Sequence, residues 1–531
     1  MEKSMKIATL LGSAAAGLLI ASSAAAQDPV VRTSAGPVRG TDEDGVHVFK
    51  GVRYGADTAP VRFQPARAPE PWRETVDAKA YGNTCPQITS GEVSLFASWV
   101  NDTPQSEDCL FLNVWTRGLN DGKKRPVMVW FHGGGYVTGS GSSHGYDGVR
   151  LAKRGDVVLV TVNHRLNAFG YLNVAGLTDD PRYAKSGNVG SLDMVQSLQW
   201  VRDNIVKFGG DPGNVTIFGE SGGGAKVSTM MAFPPAKGLF HKVIAQSGSM
   251  SLKGFSPAIG TAIAADIMRV AGLQRGEVDK LAAMPFEQLV KVEAKSKSRG
   301  AFFRPVTDST VMPRDPFDPD APPMSKDVPL LVGTNQTETR LNIGVGDPST
   351  FTMTWEDLPE RLGKTLPGTD VAALIAQQRK LHPGDNAGDI FFRVNTWRNY
   401  RKTAITQAER KAAQGGAPVY MYQLQWKTPV DGGKWQTPHA LDIAFVFDNV
   451  AKSRSMVGEG GDQQHMADLM SDAWIAFART GSPQTKALPT WPTYDAARRA
   501  TMIFDSKPRV ENDPEAKDRA LFADLPAGRE G

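Results

Sequence analysis

What most constrains this chain is a series of short, nearly continuous apolar runs spread along most of its length. They are "RPVMVWF" (Arg125 to Phe131), "DVVLVTVN" (Asp156 to Asn163), "NVTIFG" (Asn214 to Gly219) and "KVIAQSG" (Lys242 to Gly248), then "VPLLVGT" (Val328 to Thr334), "PVYMYQLQW" (Pro418 to Trp426) and "ATMIFDS" (Ala500 to Ser506). Runs of this length without polar alternation read as strands buried on both faces, the signature of a parallel sheet. Parallel strands need crossovers, and one is legible between the second and third runs. Leu192, Val195, Leu198, Val201, Ile205 and Phe208 recur at helical spacing, and Gly209 can end the helix. Strands alternating with helices predict an α/β fold: a central, mostly parallel sheet with helices on both faces. Residues 255–325 and 350–415 lack this rhythm and read as helical excursions able to wall a site. The proline-rich segment Pro313 to Pro323 reads as a loop before a strand, and residues 27–531 read as a single domain.

The first residues bear on compartment. Lys3 and Lys6 precede an apolar, small-residue stretch from Ile7 to Ala26, ending Ala24-Ala25-Ala26. A basic start, a short apolar core and an A-x-A end read as a cleaved secretory signal over residues 1–26, predicting an exported protein, periplasmic or secreted. No later stretch reaches the length of a membrane-spanning helix. Net charge is +4 with scattered basic residues, which gives no reason to expect a nucleic-acid partner. The two cysteines, Cys85 and Cys109, are an even count that in an exported protein points to a disulfide, with two buried thiols as the other reading. No C-x-x-C or H-E-x-x-H spacing announces a metal site.

Two stretches fit G-x-S-x-G, the pattern that presents a nucleophilic serine on a sharp turn: "GSSHG" around Ser143 and "GESGG" around Ser221. Context separates them. Ser221 follows the strand "NVTIF" and precedes a segment able to start a helix, so strand, tight turn and helix would expose its Oγ. Ser143 follows a glycine-rich loop and reads as a loop serine. That loop, "HGGG" at His132 to Gly135, itself follows a strand. In acyl transfer a negative oxygen develops, and backbone N–H groups must already point at it. Gly134 and Gly135, with Gly222, are the candidate donors. The serine needs a base and the base an orienting acid, in the chain order Ser, acid, His. Of eight histidines, His382, His439 and His465 come late enough. His439, in a loop after the run ending at Trp426, is favoured. Glu338 follows the strand "VPLLVGT" in a loop at the carboxyl end of a strand, where α/β sheets place their sites. Surface carboxylates are common, and the residues alone leave other acids open.

With these parts in view, the chain resembles the type-B carboxylesterases of the α/β-hydrolase fold, which include the cholinesterases. The likeness rests on "SEDCLFLNVW" (Ser106 to Trp115), "HGGG", "VNHRLNAFGYL" (Val162 to Leu172), the long block from Gly187 to Gly224, and "AQSGS", "LLVGTNQTE" and "HALDIAFVF". The resemblance implies a Ser–His–Glu triad of Ser221, His439 and Glu338, an acyl-enzyme mechanism and no cofactor. It implies a disulfide between Cys85 and Cys109, Ser247 beside the acid, and Glu220 and Asp442 flanking the triad. It also implies ion pairs of Arg62 with Glu107 and Arg165 with Asp193. There are departures. Thr337-Glu338-Thr339 stands where the family usually has D-E-G, and Gly222 follows the nucleophile where alanine is common. The expected substrates are soluble short to medium esters. Trp99 matches the tryptophan that holds choline in cholinesterases, but Leu341 and Asn342 stand where those enzymes are aromatic, so Trp99 reads as a wall of an apolar pocket. An amidase or peptidase using the same groups, and a non-catalytic binding module, are the alternatives.

Overall fold

The structure is a computed structural model that describes residues 28–525 and 528, apart from 89, 90, 92, 249–251, 298–302 and 309. The expected signal segment, residues 1–26, lies outside the described residues. Every apolar run named above forms a strand. The main sheet contains β1 (Thr41–Glu43), β2 (Val46–Arg53), β3 (Phe111–Thr116), β4 (Arg125–Phe131), β5 (Val158–Val162), β6 (Gly210–Glu220), β7 (Lys242–Gln246), β8 (Leu330–Asn335), β9 (Val419–Leu424), β10 (Ala500–Phe504) and β11 (Arg509–Asn512). Their order across the sheet is β11-β10-β9-β8-β7-β6-β4-β5-β3-β2-β1. From β10 to β5 neighbouring strands run parallel, and β11, β3, β2 and β1 add antiparallel edges. The edge strands escaped the sequence reading. β2 mixes buried with half-buried positions, β11 is exposed at both ends, and they carry polar residues such as Lys50 and Glu511, so they form no continuous apolar run.

Alternation along the central strands divides the core. Val127, Val129 and Phe131 of β4 face one apolar cluster, and Met128 and Trp130 face the other. The first face is covered by α1 (Val189–Asn204), through Met194, Val195, Leu198 and Val201, and by α2 (Gly222–Met230), through Val227 and Met230. The opposite face is covered by α3 (Asp462–Thr480), through Met466, Met470, Trp474 and Phe477. Burying each such large side chain is worth about 1.5–3 kcal/mol, which pins the strand register. The helix read from 192 to 208 forms, with its last turn, Ile205–Phe208, tightened to a 3-10 turn and closed by left-handed Gly209 at φ 73°. The excursions are helical as read, with helices at Pro257–Val270 and Phe286–Lys295, then Val371–Leu381, Ala387–Thr396 and Lys402–Ala412. Cys85 and Cys109 are joined in a disulfide. Arg62 pairs with Glu107, and Arg165 with Asp193 at 2.7 and 2.8 Å. Among the described residues no helix is long and apolar enough to cross a membrane.

Candidate active site

The chain leaves β4 to form β5 on one side, then returns to form β6 on the other side of β4. The loops after β4 and β6 therefore part in opposite directions, and open α/β sheets bind ligands at such a crevice. Loops from the carboxyl ends of β4, β6, β7, β8 and β9 supply, in turn, Gly133 to Gly135, Ser221, Ser247, Glu338 and His439. Residues far apart in sequence thus meet because their strands are neighbours.

Ser221 sits between β6 and α2 at φ 58° and ψ −123°, a left-handed conformation costing a non-glycine residue about 1–3 kcal/mol. Its N–H donates to the Gln246 carbonyl at 2.9 Å, and its carbonyl accepts from Ala225 N at 3.1 Å, so both ends of the turn are tied. Tight packing of the turn demands glycine: a Cβ on Gly223 would lie 2.1 Å from the Phe131 carbonyl oxygen. The glycine loop presses on the same turn. Gly134 and Gly135 have φ of 81° and 63°, and a Cβ on Gly222 would lie 2.2 Å from the Gly135 carbonyl oxygen.

His439 Nδ1 lies 2.6 Å from Glu338 Oε2 and 3.2 Å from Glu220 Oε1. The shorter contact makes Glu338 its partner. The other Glu338 oxygen accepts from Ser247 Oγ at 2.7 Å and from Asn335 N at 2.7 Å, so the fully buried carboxylate is held at both ends. His439 Nε2 is buried and has no protein hydrogen-bond partner. Both Ser221 and His439 line a cavity of about 340 Å³. Burial, then the charges of Asp442 and Glu338, push the Glu220 carboxyl well above the usual carboxylate range. Ala440 N donates to it at 3.1 Å. Asp442 accepts from Gln246 Nε2 and Tyr422 OH, both at 2.8 Å, and burial raises its pKa to about 6. Glu220, Glu338 and His439 bring ligand-type atoms within 4.8 Å of one another. A 2.6 Å N–O contact is a hydrogen bond, however, and a cation bonded at about 2 Å to each atom would hold them further apart.

The other two late histidines stand away from this cluster. His465 is exposed on α3, and His382 bonds Asp518 at 2.8 Å. Ser143 donates its Oγ to the Trp99 carbonyl at 3.1 Å and contributes to the cavity wall. Gly134 lines the cavity; Gly135 and Gly222 abut one another beside it without lining it. Sequence reasoning missed part of the wall. Phe96 stacks on Trp99 with ring centroids 5.4 Å apart, and Tyr146 packs 6.4 Å from Trp99. It also missed Tyr400, whose ring leans on His439 at 4.9 Å and whose hydroxyl bonds Asn342 Nδ2. Tyr400 lies in a π-helical turn, Trp397–Arg401, a distortion frequent at functional sites. Nothing in "NTWRNYRKT" signals that turn.

A model of the carboxylesterase family matches residues 27–522. Para-nitrobenzyl esterase of Bacillus subtilis is 37% identical over 506 residues, covering 92% of this chain and 97% of that protein. Among solved structures, a carboxylesterase of Geobacillus stearothermophilus superposes with a TM-score of 0.81 at 36% identity, covering 93% of this chain and 99% of the other. A Clostridium hathewayi esterase, described as able to hydrolyse aliphatic aromatic polyesters, gives 0.80 at 33% identity over 94% of this chain and 99% of its own.

Proposed function

This chain belongs to the carboxylesterase family, with an α/β-hydrolase fold, and on that premise we propose that Ser221, His439 and Glu338 carry ester hydrolysis through an acyl-enzyme. The observation that carries the proposal is the His439 imidazole, bonded at Nδ1 to Glu338, with its buried Nε2 unpartnered, lining one cavity with Ser221. His439 Nε2 takes the proton of Ser221 as Oγ attacks the ester carbonyl. Glu338 stabilises the imidazolium and fixes its tautomer. The oxyanion is held by the backbone N–H groups of Gly134, Gly135 and Gly222. His439 then protonates the departing alcohol, and a water activated by the same imidazole releases the acid.

The cavity wall supports uncharged short to medium esters with an apolar or aromatic group. Phe96, Trp99, Tyr146 and Ile443 supply apolar surface. The names of the nitrobenzyl and polyester esterases agree with an aromatic-bearing substrate. We further place the mature chain, residues 27–531 as one domain, outside the cytoplasm. The signal-like start supports this, as does the Cys85–Cys109 bond, since disulfides persist in oxidising compartments. Cell fractionation with N-terminal sequencing tests the placement; recovery of an unprocessed cytoplasmic chain would overturn it.

The test of function is hydrolysis of p-nitrophenyl butyrate together with labelling by a fluorophosphonate. Ser221→Ala should lose about 10⁴-fold or more in kcat and take no label. Ser143→Ala should still take the label. A Ser221→Ala protein as active as wild type would sink the reading.

A further inference from the structure

Directly behind the glycine loop lies a basic cluster that the mechanism above leaves unused. Lys226, on the second turn of α2, is fully buried, and its Nζ donates to the carbonyl oxygen of His132 at 2.8 Å. The same Nζ lies 5.8 Å from the centre of the Tyr136 ring. No carboxylate pairs with it among the described residues. The His132 ring stacks on that of His164 at 4.8 Å, nearly parallel at 7°. Each ring bonds a neighbouring backbone carbonyl through Nδ1, Gly133 for His132 and Arg165 for His164. Each leaves a buried Nε2 with no partner.

A buried, unpaired lysine is costly and needs a reason to stay. Two contacts supply one. The His132 carbonyl belongs to the peptide leading into Gly133, so the lysine grips the loop at its root. One turn earlier on the same helix, Gly222 touches Gly135 so closely that no Cβ fits. α2 therefore holds the loop at two points, the root through Lys226 and the tip through Gly222. We propose that Lys226 is a positioning residue for the oxyanion hole, clamping the His132 carbonyl so that the Gly134 and Gly135 N–H groups stay aimed at the oxygen of the tetrahedral intermediate. This rests on the catalytic reading of Ser221 given above.

Burial pushes the Lys226 ammonium well down toward its neutral form. The clamp does not depend on the charge, because a neutral amine still carries N–H donors. What the clamp protects is transition-state stabilisation, which predicts a split between kcat and KM.

The experiment compares wild type, Lys226→Met, Lys226→Gln and Ser221→Ala. It measures p-nitrophenyl butyrate kinetics and the affinity for a trifluoromethyl ketone, which the serine converts to a hemiketal bearing the oxyanion. Near-UV circular dichroism and the unfolding midpoint report on folding. Lys226→Met keeps the stem and removes the donor. It should lower kcat by about tenfold to hundredfold and weaken the ketone by a similar factor, with KM little changed. A general loss of structure would not track the ketone in this way. If Lys226→Met fails to fold, Lys226→Gln carries the test, since its shorter amide cannot span the same distance; the same coupled loss is expected. A folded variant with wild-type kcat and ketone affinity, beside an inactive Ser221→Ala, overturns the clamp alone. An active Ser221→Ala overturns the catalytic reading itself.

Discussion

Replacing Gly222 by alanine is the sharpest test of how closely the glycine loop and the nucleophile turn are matched. A Cβ at 222 would lie 2.2, 2.4 and 2.5 Å from the carbonyl oxygen, Cα and N of Gly135. All three are backbone atoms, so no side-chain rotation relieves the contact. Reaching an ordinary separation of roughly 3.4 Å moves the loop or the turn by about 1.2 Å. Oxyanion donors work at about 2.7–3.1 Å, and a shift of that size takes at least one N–H out of range. Losing one donor costs about 10²–10³-fold in kcat, or about 3–4 kcal/mol of barrier. The cavity wall of Phe96, Trp99 and Ile443 lies elsewhere, so KM should stay close to wild type. Steady-state kinetics on p-nitrophenyl butyrate reads the effect, with the unfolding midpoint as a control. Alanine is common here in the family, so the prediction is specific to this chain's loop. A Gly222→Ala enzyme with wild-type kcat would refute the reasoning, because it would show that the loop yields at no cost.

Two stability predictions follow from the buried groups around the site. Asp442 titrates near pH 6 in the folded chain and near pH 4 when unfolded, so its stabilising contribution is full below pH 4 and lost as pH rises through 6, by about 3 kcal/mol. In urea denaturation Asp442→Asn, which cannot ionise, should therefore gain on wild type by that amount between pH 4 and pH 7, and a pH-independent difference would refute the assignment. The Cys85–Cys109 bond closes a loop of sequence separation 24, worth about 3 kcal/mol through restriction of the unfolded chain. Cys85→Ser with Cys109→Ser should lower the urea midpoint accordingly, and wild type in dithiothreitol should match the double variant.

Much of the site could be read locally. The turn at Ser221 announces itself because strand, glycines and helix lie in one short stretch, and steric exclusion at Gly223 acts between close neighbours on the sheet. The helix from 189 to 204 was legible because its apolar residues Leu192, Val195, Leu198 and Val201 recur at helical spacing. Glu338 was weaker: a carboxylate in a loop has no local mark, and only the family likeness singled it out. Tyr400, Phe96 and Tyr146 carried no signal, because each reaches the cavity through the path of its segment across the fold. Ser143 was read as a loop serine, and the fold brings that loop into the cavity wall.

The sequence by itself determined the central strands, the crossover helix and the sharp turn at Ser221, because apolar periodicity and glycine sterics act over a few residues. Tertiary structure alone decided which histidine meets which acid. His439 and Glu338 are 101 residues apart and touch only because β8 and β9 are neighbours. It also decided that the Glu220 carboxyl is pushed up by burial, that Asp442 titrates near pH 6, and that Lys226 grips the glycine loop. Burial and proximity set those properties, and both arise only when distant segments pack together.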